Sequence, residues 1–153
     1  MIIKSYEVQK NKSNFLKYNF FLLYGENFGL KKDIKELIKA ETIRKDDTVE
    51  IISLYEDEIL NNEEDFYNFA YISSLFVKKK IIIIYGATDK IMKKINDIYE
   101  KYSKDTFLII FSEILEKKSK LRIFFETSKK TICIPCYLDS AKDLEIIAKF
   151  ELK

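Results

Sequence analysis

Between Phe20 and Leu138 the chain alternates between two hydrophobic rhythms. Short unbroken apolar runs, FFLLYGE from Phe20, TVEIISLY, KIIIIYGA, TFLIIFS and TICIPCYL, have the length and β-branched content of strands. Between them, apolar residues recur at helical spacing. Leu30, Ile34, Leu37 and Ile38 share one helical face, as do Ile91, Ile95 and Ile98, with Met92 and Tyr102 nearby, and Leu121, Phe124 and Phe125 follow the same rule. NEEDFYNFAYISS predicts a further helix with acids in its first turn, where the helix dipole favours them. Thr88 or Asp89 is placed to cap the helix after the third strand. Another helix is expected from SAKDLEIIAKFELK at the C-terminus. The order is βαβαβαβαβα, and strands this apolar without alternation are buried on both faces. The pattern therefore predicts an α/β fold around a parallel sheet.

Composition narrows the function classes. At 153 residues, 47% apolar and 34% charged, the chain suits one domain with a substantial core. No apolar run approaches the roughly 18 residues of a membrane span, and MIIKSYEVQKNKSNF lacks the features of a signal peptide. The expectation is a cytoplasmic protein with no membrane partner, monomeric by default. Net charge is only +2, and Arg44 and Arg122 are the only arginines among 27 basic residues, so bidentate reading of phosphate or guanine would be scarce. The absence of histidine removes the commonest general base and metal ligand.

Two motifs invite a chemical reading. In such a fold a phosphate-binding loop follows the first strand. Counting from Gly25, Lys31 falls on the lysine position, but Leu30 replaces the second glycine and Lys32 the magnesium-binding hydroxyl. Glu26 lies where phosphate oxygens would sit, and the third strand closes on Tyr85 and Gly86 instead of an acid. The loop Gly25, Lys31, Lys32 thus predicts a turn rather than a nucleotide site. The second motif is CIPC, Cys133 to Cys136. A dithiol site needs its first cysteine at a helix N-terminus, and here the pair lies in a strand, with its side chains on opposite faces. Zinc would need two further ligands. Buried structural thiols are expected, with no cofactor, metal or catalytic residue. The acids Glu56 to Glu58 are assigned to a loop.

Leu75 and Phe76 form a bulky pair separated from the isoleucine strand by Lys78, Lys79 and Lys80. On a helix running through Phe76, at about 100° per residue, Phe66, Phe69, Ala70 and Ser73 make one stripe, and Leu75 falls almost opposite it. Either the pair projects outward, or Tyr67, Tyr71 and Leu75 make a second buried face, or the helix ends early and the pair packs beneath it. The lysines read as a polar lead into the strand or as the rim of a partner surface.

FFLLYGENFGLKKDIKELI, SSLFVKKKIIIIYGATDKI, TFLIIFSEILEKKSKLRIFFE and CIPCYLDSAKDL, in this order and spacing, resemble the N-terminal domain of the delta subunit of bacterial DNA polymerase III. The resemblance covers about Phe20 to Leu144. It implies an AAA+-like, P-loop NTPase-like three-layer domain around a five-stranded, mostly parallel sheet with a degenerate nucleotide site. That domain is expected over 1–140, with a second, helical domain beginning at 141–153. The implied role is in the clamp loader, where delta binds and opens the ring-shaped sliding clamp, the beta subunit, while other subunits bind ATP. A small-Leu-Phe element then enters a pocket on the clamp; here it is Ser74, Leu75 and Phe76. Other loader subunits, and DNA through the assembled complex, are the further partners implied. No activity of its own is expected of the chain, although the family belongs to a nucleotidyltransferase holoenzyme. Two rival readings from the residues are an AAA+ ATPase and a dithiol oxidoreductase using Cys133 and Cys136.

Overall fold

The computed structural model describes residues 1–11, 15, 17–43, 48–72 and 76–138. The helix read over SAKDLEIIAKFELK, and with it the 141–153 domain, lies outside them.

Five strands, β1 Phe20–Tyr24, β2 Val49–Tyr55, β3 Lys79–Tyr85, β4 Thr106–Ser112 and β5 Thr131–Pro135, form one sheet in the order β2-β3-β4-β1-β5. Every pairing is parallel. The helices are α1 Val8–Asn11, α2 Phe28–Thr42, α3 Glu56–Asn61, α4 Glu63–Tyr71, α5 Met92–Lys101 and α6 Lys120–Thr127. Parallel strands need crossovers, and these helices make two outer layers.

On one face, α3 to α6 bury Ile59, Phe66, Ala70, Ile95, Ile98, Leu121 and Phe125 against Leu22, Ile82, Ile84, Leu108 and Ile110. On the other, α2 sets Ile34 and Ile38, together with Val8 of α1, against Phe21, Leu23, Ile81, Ile83, Ile109 and Phe111. The unbroken apolar runs follow directly, because alternate residues of β1, β3 and β4 enter the two different cores. The three-layer α/β architecture is the one expected.

Four local readings are corrected. Glu56 to Glu58 open α3 rather than lying in a loop. The N-terminal segment, where no element is predicted, joins the fold: Ile2 bridges Cys133 alongside β5, and Ile3, Val8 and Phe15 are buried. The fifth strand closes at Pro135 rather than continuing to Leu138. Finally, α4 stops at Tyr71, with Ile72 extended, so the helix does not run through Phe76.

Candidate functional site

In an open α/β sheet, ligands are taken at the carboxyl ends of the strands, where the strand order reverses. Here that place is the end of β1, flanked by β4 and β5. The loop there is filled by the chain itself. Cys136 donates its N–H to the Tyr24 carbonyl at 2.6 Å, its own carbonyl accepts from Asn27 at 3.0 Å, and Leu138 donates to the Glu26 carboxylate at 2.9 Å. Gly25 has φ +119°, and a Cβ on it would lie 2.1 Å from the Cys136 carbonyl oxygen. Glycine is therefore required by the close passage of the chain leaving β5.

Lys31, at the position of a phosphate-binding lysine, is 2% exposed and donates to the Ser112 carbonyl at 2.9 Å, while Lys32 is exposed. Asn27 caps α2 by accepting from Leu30 N–H at 3.1 Å, so its side chain already occupies a helix donor. At the end of β3, Tyr85 stacks between Tyr55 and Phe111, at 5.5 and 4.8 Å, where a magnesium-holding acid would stand. Gly25 thus lies in the turn after β1, whereas Lys31 and Lys32 lie within α2.

Cys133 and Cys136 are free and buried, Cys133 in one core and Cys136 in the other. Burial pushes each thiol up to about 12, far from a reactive thiolate. Among the described residues, no group of three or more Cys, Asp and Glu is arranged to hold a metal.

The acids brace the same end of the sheet. Glu56 is buried and accepts from the Thr88 N–H at 2.8 Å and hydroxyl at 2.9 Å, joining the end of β2 to the turn after β3. Thr88 in turn accepts from Lys90 N–H, as a cap for the following turn. Asp89, the alternative cap, instead receives the Ser119 hydroxyl at 2.6 Å and the Leu121 N–H at 3.1 Å, at the start of α6. These bonds, the Ser119 one foremost, hold its carboxyl below the ordinary range. Loop acids were recognisable in the sequence, whereas these long-range partners were not.

The end of α4 is where apolar side chains face outward. Of the expected stripe of Phe66, Phe69, Ala70 and Ser73, Phe66 and Ala70 are buried, Phe69 is 40% exposed, and Ser73 lies outside the described residues. Tyr67 packs partly against the core and donates to Asp97 at 2.7 Å; Tyr71 is exposed and donates to the Asp97 carbonyl at 3.0 Å. Ile72 is 63% exposed and Phe76 84%. Phe76 is therefore not packed beneath the early-ending helix. Ser74 and Leu75 lie outside the described residues.

The lysines after this segment do more than wet the start of a strand. Lys79 Nζ donates to the Thr42 carbonyl at 2.6 Å at the end of α2. Lys80, 8% exposed, donates to the carbonyls of Phe69 and Ile72 at the end of α4. Backbone N–H groups of Lys78 and Lys79 donate to the Thr48 carbonyl at 2.9 and 3.0 Å.

The family described as DNA polymerase III, delta subunit, matches residues 21–137. This chain belongs to that family. The match covers the five strands except Phe20, the first residue of β1. No curated protein sequence matches the chain. Among solved structures it is similar to the Bacillus subtilis DNA clamp loader delta protein, with a TM-score of 0.65 and 15% identity, over 97% of this chain and 48% of that one. The chain thus spans about half the length of that relative, and at this identity the likeness concerns the fold. No described helix is long and apolar enough to cross a membrane.

Proposed function

We propose that this delta-family chain is the clamp-contacting part of a replication clamp loader, docking on the ring-shaped sliding clamp through Ser74, Leu75 and Phe76 and helping to open the ring. The observation that carries the reading is the exposed Phe76 just beyond the end of α4. Phe76 is accessible to a partner there, and burying a Leu–Phe pair on docking contributes about 1.5–3 kcal/mol per side chain. Membership of the DNA polymerase III delta-subunit family supports the choice of a sliding clamp as that partner.

The chain works without hydrolysing ATP. Its β1 loop is engaged by residues 136–138, its loop lysine is bonded to the protein's own backbone, and an aromatic tier stands at the end of β3. ATP binding falls to other loader subunits, and DNA is reached through the assembled complex.

Incubating the purified chain with a purified bacterial sliding clamp and resolving the mixture by size tests the reading. A co-migrating complex is expected. Separate migration at concentrations well above micromolar contradicts it.

A further inference from the structure

The carbonyls of Phe69 and Ile72 belong to the last turn of α4, where helix geometry leaves backbone acceptors without intrahelical donors. Both accept from the ammonium of Lys80. Lys80 is itself rigidly held: it pairs with Glu50 of β2 and Thr106 of β4, and its N–H donates to the Asp105 carbonyl at 2.9 Å. One side chain therefore ties the end of the helix to the middle of the sheet. On the far side of Phe76 the chain is held again, where Lys78 donates to the Thr48 carbonyl and hydroxyl, each at 2.9 Å. The exposed phenylalanine stands between two fixed points, Ile72 and Lys78.

Packing alone does not call for a lysine at position 80. The strand continues with four isoleucines, and an apolar side chain would fill the same space without desolvating an ammonium. It would also remove the donor that both carbonyls share and so loosen the end of α4.

We propose that Lys80 is a positioning residue for partner docking: by bonding the Phe69 and Ile72 carbonyls it fixes where the chain leaves α4, and so presents Phe76 in a set direction to the partner. This rests on the clamp-docking reading for the partner's identity. Pre-setting the anchor lowers the ordering cost of binding, so loss of the ammonium weakens docking although Lys80 touches no partner.

The test is a set of three variants, Lys80→Met, Phe76→Ala and both together, titrated with purified sliding clamp. Amide hydrogen exchange of residues 69–78 is measured in the absence of clamp. Lys80→Met is expected to raise the clamp Kd roughly tenfold and to speed exchange at 72–78 by a similar factor, with exchange in β4 and α5 unchanged. In the Phe76→Ala background it adds nothing further to Kd, whereas a merely structural role would weaken both backgrounds alike. Lys80→Arg, which keeps the donors, restores most of the affinity. If Lys80→Met does not fold, Lys80→Ile, which carries no donor and continues the isoleucine run of β3, takes its place under the same expectations. Parent-like clamp binding by Lys80→Met while Phe76→Ala loses affinity overturns the proposal, as does independent multiplication of the two effects. If the parent itself fails to bind clamp, the docking reading falls; unchanged exchange at 72–78 then overturns the positioning role as well, and accelerated exchange supports it.

Discussion

Several charged residues whose types suggested chemistry are absorbed by structure. Lys31, Glu56, Lys80 and Lys94 are all buried, and each has a partner in the fold: the Ser112 carbonyl, Thr88, the end of α4, and Glu63 at 2.8 Å. A buried charge survives only when it is paired and hydrogen-bonded, and here the partners are mostly backbone groups at element ends. The thiols follow the same logic. With each Cys in a different core and each thiol pushed up to about 12, neither should react with a thiol reagent at neutral pH in the native protein, and both should react in denaturant. Rapid native labelling, or a disulfide formed in a glutathione buffer, would revive the oxidoreductase reading. The opposite-face placement was legible in the sequence, since period-two geometry separates residues three apart. The ties of Glu56 and Asp89 were not, because they join segments far apart in the chain, and that of Lys80 was not, because it depends on how the chain turns between α4 and β3.

At the scale of elements, the apolar runs identified the strands, and helical spacing identified the cores of α2, α5 and α6. The end of α4 was misread for a definite reason. The stripe continues to Ser73 on paper, but a helix ends where its last carbonyls find other donors, and Lys80 supplies one from the strand beyond. The same misreading put Phe69 in the core. Phe66→Ala should lower stability by roughly 3–5 kcal/mol, the usual range for a buried phenylalanine. Phe69→Ala should cost about 1 kcal/mol, because much of its ring already meets solvent. Urea unfolding of the two variants checks the order; equal losses would mean that Phe69 is buried in solution. The N-terminal segment shows the opposite error. Its polar average hid Ile3, Val8 and Phe15, single apolar residues that complete the core beside α2 and β5 without making a period of their own.

For the whole molecule, the parallel sheet carries two ends with different fates. The carboxyl end of β1, where this architecture takes a nucleotide, is closed by Cys136 to Leu138, so calorimetry with ATP and magnesium should show no saturable binding at micromolar concentrations. Saturation there would restore the ATPase reading. Damage to the loop was visible in Leu30 and Lys32, but its occupation by the β5 exit required the fold. At the other end, α4 and β3 hold Phe76 in solvent between anchored flanks. The claim that this is a docking element is tested most directly by titrating purified sliding clamp into the parent chain and into Leu75→Ala/Phe76→Ala, with thermal unfolding of both. The account predicts saturable binding by the parent and at least about 100-fold weaker binding by the variant, with nearly the same melting temperature. A variant that binds the clamp like the parent, or one that unfolds because the pair is core, contradicts it.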